Sequence, residues 1–168
     1  MVDFAVLDTS VILLVVAPLQ DSDPADRRLR RERTVETLRE YRAEKVRFVV
    51  PAPVVAELAA GPPSDEVVIS KLLARMGGGH VEPLDDLAAR DTGLALRKTL
   101  RSRPAGERRN GIKFDAMIAG IAHRMGARYL LTANERDFRR YLEELNSRVE
   151  VVDVSSPRNT GQLRLVDQ

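Results

Sequence analysis

The sequence predicts an α/β fold with a central parallel sheet of about five strands covered by helices. Short apolar segments that suit strands alternate with longer helical patterns from the first residues to about residue 154. This alternation is typical of parallel strands, because each strand-to-strand connection then needs a helical crossover. The 168 residues, 43% of them hydrophobic, suffice for one domain with one core. We therefore predict one domain over 1–154 and a C-terminal tail over 155–168.

Five segments are predicted as strands because they are short, apolar and rich in β-branched or aromatic residues. They are 3–7, 46–50, 80–83, 128–131 and 149–154. Helices are predicted from apolar periodicity and from capping and stop residues. They are 9–17, 24–44, 51–60, a helix that Ser64 caps and that ends at the glycines 77–79, 85–101, 113–125 and 134–145. The polar, arginine-rich segment 102–112 is predicted as a loop.

Composition excludes several classes of site. The absence of cysteine excludes a disulfide framework, a thiolate zinc site and a cysteine nucleophile. The sequence contains no Walker phosphate loop, dinucleotide fingerprint or Gly-x-Ser-x-Gly elbow. The N-terminus lacks the basic start of a signal peptide, and the apolar run 11–17 is about a third of the length that crosses a bilayer. We expect a cytoplasmic protein without a membrane segment.

Four acidic residues occupy positions that suit an active site. Asp8 directly follows the first strand, and Asn134 and Asp137 lie just beyond the fourth. Ligands of open α/β sheets bind at the carboxyl ends of the strands. Asp115 falls in the predicted first turn of a buried helix, and Glu57 lies inside an otherwise apolar helix, where an unpaired acid is costly. We expect these carboxylates to meet at one end of the sheet.

Each acid also has a structural explanation. Asp8 could cap the helix that follows it, and Asp115 could satisfy free N–H groups and the helix dipole. Asn134 with Asp137 three residues later approximates a capping box. Glu57 could pair with an arginine. These alternatives stay open at the level of sequence.

A cluster of carboxylates needs a cation. Two carboxylates about 4 Å apart repel by roughly 4 kcal/mol at an effective dielectric near 20. Oxygen ligands without cysteine or histidine favour magnesium or manganese over zinc. Such a site suits phosphodiester hydrolysis, because a metal ion can activate water and a second can hold the leaving oxygen.

The basic residues are mostly arginine, 23 against 4 lysines, in a chain of net charge +2 and pI near 9.2. Composition bias or a solvated helix surface would explain this, and so would phosphate binding, because guanidinium groups grip phosphate through paired hydrogen bonds. The arginines cluster in two stretches, 27–33 and 97–109. The second includes three arginines expected near the mouth of the site: Arg103, Arg108 and Arg109.

Four motifs occur in a fixed order along residues 3–153. They are VLDTS at 6–10, PVVAEL at 53–58, FDAMIAGIA at 114–122, and LTAN at 131–134 with Asp137-Phe138. In this ordered set the sequence resembles the PIN-domain nucleases, especially the toxin ribonucleases of VapBC toxin–antitoxin operons. The resemblance implies a PIN-like three-layer α/β/α domain and a magnesium- or manganese-dependent endoribonuclease. It also implies RNA as substrate, a cognate antitoxin and a homodimer.

The resemblance assigns roles to particular residues. It implies Asp8, Glu57 and Asp115 as the core metal-binding acids and suggests Asp137 as the fourth, with Ser10 and Asn134 as polar support. Two further readings keep the fold: a PIN nuclease of RNA maturation or decay without an antitoxin, and an inactive PIN-fold binding module. A haloacid-dehalogenase-type phosphotransferase also has an aspartate after its first strand. That family needs a second aspartate two residues later, where this chain has Ser10.

Overall fold

The computed structural model describes residues 2–17, 23–61, 80–101 and 109–156, and the side chains in these ranges outside 98–101 and 109–112. The strands are β1 (Phe4–Leu7), β2 (Arg47–Pro51), β3 (His80–Glu82), β4 (Tyr129–Thr132) and β5 (Glu150–Asp153). The helices are α1 (Thr9–Val16), α2 (Ala25–Ala43), α3 (Ala52–Ala60), α4 (Asp86–Arg101), α5 (Arg109–Arg124) and α6 (Glu135–Glu144). The predicted helix after Ser64 and nearly all of the predicted tail lie outside the described residues.

The five strands form one sheet in the order β3-β2-β1-β4-β5, and every neighbouring pair is parallel. In the centre, Ala5 of β1 lies beside Phe48 of β2 on one side and Tyr129 of β4 on the other. All four residues of β4 are buried, as expected for a parallel strand with helices on both faces. The predicted parallel sheet of about five strands is confirmed.

The helices form two layers. The crossovers that contain α1, α2 and α3 run toward β3, whereas those that contain α4, α5 and α6 run toward β5. Right-handed crossovers in opposite directions place α1 and α2 on one face and α4 to α6 on the other. Contacts agree, because α1 packs on α2, and α5 packs on both α4 and α6. The predicted three-layer α/β/α arrangement is confirmed. In the described ranges, no helix is long and apolar enough to span a bilayer.

The order of the strands reverses between β1 and β4. From β1 the chain continues to β2 on one side, and from β4 it continues to β5 on the other. Such a switch point leaves a crevice at the carboxyl ends of the two strands, where open α/β sheets bind their ligands. Asp8 directly follows β1, and Thr132 ends β4. The fold therefore places both residues at this crevice.

Helix α5 begins earlier than the sequence predicts. It starts at Arg109, four residues before the predicted start at Lys113, so the end of the predicted loop 102–112 is helical. Gly111 suggested a loop, but one glycine costs a helix only about 1 kcal/mol, which tertiary packing can outweigh. The packing is extensive, because Ala116, Ile118 and Ala119 are fully buried. The prediction that Asp115 lies in the first turn is therefore wrong, since six helical residues precede it.

A close contact between α4 and α5 fixes the position of α5. A Cβ atom on Gly120 would lie 2.5 Å from Thr92 Oγ1 and 2.9 Å from the carbonyl oxygen of Ala88. Only glycine fits there without a shift of the backbone of α4. Since α5 also carries Asp115, this contact helps to set the position of one of the candidate acids.

Candidate active site

Asp8 is anchored by two hydroxyl groups. The residue is 5% exposed, and its Oδ2 accepts hydrogen bonds from Ser10 Oγ at 2.6 Å and from Thr132 Oγ1 at 2.8 Å. Asp8 occupies the N-cap position of α1, but its side chain makes no capping hydrogen bond. The carboxylate is therefore held at the carboxyl end of the sheet and does not serve α1 as a cap.

The same hydroxyl groups connect β1 to the loop after β4. Ser10 Oγ accepts a hydrogen bond from the backbone N–H of Ala133 at 3.0 Å, and Thr132 Oγ1 accepts one from that of Asn134 at 2.9 Å. The backbone N–H of Asp8 also donates to the carbonyl oxygen of Leu131. Each of the two hydroxyl groups thus donates one hydrogen bond and accepts another. This network fixes the orientation of Asp8.

Glu57 projects from α3 toward Asp8. Its Oε2 accepts a hydrogen bond from Thr9 Oγ1 at 2.5 Å, and none of the described lysines or arginines forms an ion pair with it. Burial raises the pKa of Glu57, the hydrogen bond from Thr9 lowers it, and the charge of Asp8 raises it further. The predicted alternative, a pair with an arginine, is not found among the described residues.

Asp115 interacts electrostatically with the three other acids. Burial first, and then the charges of Asp8, Glu57 and Asp137 in that order of importance, together raise the pKa of Asp115 from 3.8 to about 7. Because α5 begins at Arg109, Asp115 is not among the first residues that could cap the helix. The structural explanation for this acid is therefore wrong.

Asp137 completes the group from α6. Asn134 is the N-cap residue of α6 but makes no side-chain capping bond, and its Nδ2 instead donates to Asp137 Oδ2 at 2.9 Å. In a capping box, these two side chains would instead bond to backbone N–H groups at the start of the helix. Among the described residues at the start of α6, such bonds are absent. The structure thus brings all four predicted acids, with Ser10 and Asn134, to one end of the sheet.

The donor set fits a hard divalent cation. The four acids, with the hydroxyl and amide groups around them, offer only oxygen ligands, which favour magnesium or manganese. Within the described ranges, no three acidic or histidine side chains lie close enough together to enclose a metal ion as they stand. Binding would therefore need side-chain rotations. Glu57 and Asp137 are only partly buried, which leaves them room to rotate.

The structure adds three residues to which the sequence gave no role. Thr9 and Thr132 donate hydrogen bonds to Glu57 and Asp8, and Arg140 Nη2 lies 3.6 Å from Asp137 Oδ1. Thr9 follows Asp8 after β1, and Thr132 is the last residue of β4. Both therefore lie at strand ends where the sequence predicts the site, and this position was a usable signal. The predicted phosphate contacts Arg103 and Arg108 lie outside the described residues, as does the side chain of Arg109.

A comparison with family models identifies the domain. The model of the PIN domain matches residues 5–144, which include all four acids. The chain belongs to the PIN-domain family. PIN domains are nucleases, so membership supports a hydrolase that acts on nucleic acid. A search of the curated proteins gave no significant match.

Solved structures with the same fold cover about nine-tenths of the chain. One is VapBC2 from Rickettsia felis bound to a DNA fragment from their promoter, at 19% identity and a TM-score of 0.58, covering 89% of this chain and 99% of that chain. Another is VapBC-1 from nontypeable Haemophilus influenzae, at 22% identity and a TM-score of 0.55, covering 91% and 99%. A third is DNA-bound VapBC from Salmonella typhimurium, at 23% identity and a TM-score of 0.53, covering 90% and 98%. At these identities the likeness concerns the fold.

Proposed function

We propose that this chain is a divalent-metal-dependent endoribonuclease and the toxin of a toxin–antitoxin pair. The observation that carries the proposal is the electrostatic coupling of Asp115 to three other acids at the switch point of the sheet. Carboxylates that raise one another's pKa repel one another, and a bound cation would relieve that repulsion. A PIN domain with this group of acids is suited to phosphodiester hydrolysis.

The four acids would hold the ion. Asp8, Glu57, Asp115 and Asp137 are the proposed ligands, and the ion is Mg²⁺ or Mn²⁺. When bound, a divalent ion supplies an activated water molecule and stabilises charge on the phosphate. Ser10 orients Asp8 through its hydrogen bond, and Asn134 does the same for Asp137. Such orientation by neighbouring donors is a general requirement of metal ligands.

RNA is the proposed substrate, and arginines at the entrance are its proposed phosphate contacts. Arg103, Arg108 and Arg109 precede Asp115 in the chain and occur in the second of its two arginine-rich stretches. Phosphate contacts of this kind make binding depend on salt. A cognate antitoxin, a homodimer and a cytoplasmic location are part of the same proposal. The antitoxin is supported by the similarity in fold to proteins described as VapBC.

Two alternatives keep the PIN fold. A nuclease of RNA maturation or decay would have the same site and no antitoxin, and a short open reading frame directly upstream would favour the toxin instead. An inactive binding module would keep the fold without cleavage. The presence of three carboxylates within electrostatic reach of Asp115 favours an active enzyme over this last alternative.

Cleavage of total RNA tests the proposal and identifies the target. The chain is incubated with total RNA and, separately, with single-stranded DNA, with and without magnesium, and the fragment ends are mapped. We expect magnesium-dependent cuts at a small number of RNA positions. Cleavage of DNA alone would contradict the assignment of RNA, and intact nucleic acid under all conditions would favour the binding module.

A further inference from the structure

Arg140 lies at the edge of the acid group. It is on α6 one turn after Asp137, and its Nη2 is 3.6 Å from Asp137 Oδ1. Within the described part of the chain, it is the one basic side chain that pairs with any of the four acids. Arg140 is therefore the positive charge that the described structure places directly beside the site.

The contacts of this guanidinium group are incomplete. A separation of 3.6 Å is too long for a hydrogen bond, so the contact with Asp137 is purely electrostatic. Nε of Arg140 is buried and has no hydrogen-bond partner among the described residues. A buried donor without a partner is unfavourable, so the group gains from any rearrangement that supplies an acceptor. The side chain is also 40% exposed, so it can reach a ligand in solvent.

Tyr141 holds Arg140 beside the site. The guanidinium carbon lies 5.3 Å from the centre of the Tyr141 ring, and Tyr141 itself is fully buried. Burial raises the pKa of Tyr141, a hydrogen bond with Arg140 lowers it, and the charge of Asp115 raises it. Tyr141 thus contacts the arginine and also lies near Asp115. Packing on a buried ring keeps the arginine at the border of the acid group while its remaining donors stay available.

We propose that Arg140 binds a phosphate of the RNA strand next to the reacting bond. In the free chain its guanidinium lies against Asp137, and in the complex it donates to phosphate oxygens, while Asp137 serves the metal. Guanidinium groups suit this role because they bind phosphate through paired, charge-assisted hydrogen bonds. Four acids repel the substrate, so a cation at their edge offsets that repulsion where the strand enters. The inference rests on the proposed ribonuclease function.

RNA binding by two neighbouring arginine variants tests the inference. Binding of a fluorescent single-stranded RNA to the full chain is measured in magnesium, with Asp8→Asn present throughout so that the RNA is not cut. Arg140→Gln should weaken binding about tenfold, as expected for loss of one charged contact worth about 1.4 kcal/mol. It should also lower the slope of log Kd against log salt by about 0.7, the value for one phosphate on a single strand.

The controls separate phosphate binding from structure. Arg139→Gln is the matched control, because Arg139 lies on the same helix and forms an exposed pair with Glu135; it should change neither affinity nor salt slope. Arg140→Lys keeps the charge and should restore the salt slope while recovering only part of the affinity. A merely structural role for Arg140 would change melting curves but not the salt slope.

The outcomes distinguish this inference from the proposed function. Equal affinity and equal salt slope for Arg140→Gln and Arg139→Gln would overturn the inference, even if the wild-type chain cleaves RNA. If the wild-type chain leaves RNA intact but RNA binding still depends on Arg140, the proposed function fails; Arg140 then contacts phosphate, but its placement next to a reacting bond is overturned. If no RNA binds at physiological salt, both are wrong.

Discussion

Thr132 Oγ1 donates a hydrogen bond of 2.8 Å to Asp8 Oδ2, and thereby joins two residues that are 124 positions apart in the chain. The bond exists because β1 and β4 are adjacent in the sheet and end at the same edge. Thr132 is completely buried, so water does not replace it as a donor. Together with the hydrogen bond from Ser10, this contact fixes the orientation of Asp8.

Removal of this donor should weaken the site more than the fold. Thr132→Val preserves shape but leaves Asp8 Oδ2 with one donor, Ser10. We expect cleavage or metal affinity to fall about 10- to 100-fold, the usual effect of losing a group that orients a metal ligand. The matched control is Thr92→Val, since Thr92 is also buried but donates only to Ala88 within its own helix. Equal loss of activity in both variants would contradict this account.

Two glycines test how α5 is positioned. Gly120→Ala should destabilise the chain by about 1–3 kcal/mol, because the new methyl group collides with α4 and cores tolerate overpacking poorly. Gly93→Ala is the control, since Gly93 lies in α4 with no atom within 4 Å of an added Cβ. It should stabilise the chain by up to about 1 kcal/mol, the difference in helix propensity. Chemical denaturation measures both, and equal effects would refute the close contact.

Glu57 tests the charge of the site separately from its shape. Glu57→Gln keeps the carbonyl oxygen that accepts a hydrogen bond from Thr9, so the fold should change little. Cleavage should fall by orders of magnitude, because an amide is a poor ligand for a hard cation compared with a carboxylate. Glu135→Gln, which removes an exposed acid that pairs with Arg139, should retain activity. Near-normal turnover of Glu57→Gln would return this residue to a structural role.

Asp115 should make the metal-free chain sensitive to pH. The folded pKa of about 7 lies above the ordinary value of 3.8, so between these values the folded chain binds more protons than the unfolded chain. The contribution of Asp115 to the free energy of unfolding in EDTA should therefore fall as pH rises from about 4 to about 7. Above about pH 7 this contribution should change little. Asp115→Asn should flatten the dependence. Melting temperatures at pH 5 and pH 8 test this, and identical pH profiles for variant and wild type would contradict it.

The fold followed from sequence more readily than the detail of the site. Strands are short apolar runs, and Asp8 is visible as the first acid after one of them. By contrast, the partners of Asp8 depend on which strands are adjacent, and Thr132 becomes a partner only through the order of the sheet. The predicted start of α5 is wrong because Gly111 locally indicates a loop. Buried contacts further along the helix stabilise it, and the helix extends back to Arg109.

Magnesium-induced stabilisation tests most directly whether the four carboxylates form one metal site. Melting temperature is measured at pH 8 while magnesium is titrated into the wild-type chain and into Asp115→Asn. In EDTA the variant should be as stable as the wild type or more so, since one repelling charge is gone and no cap is lost. Magnesium should stabilise the wild type by mass action and the variant much less. A wild type that gains no stability from magnesium or manganese, or a variant that gains as much, would contradict the account.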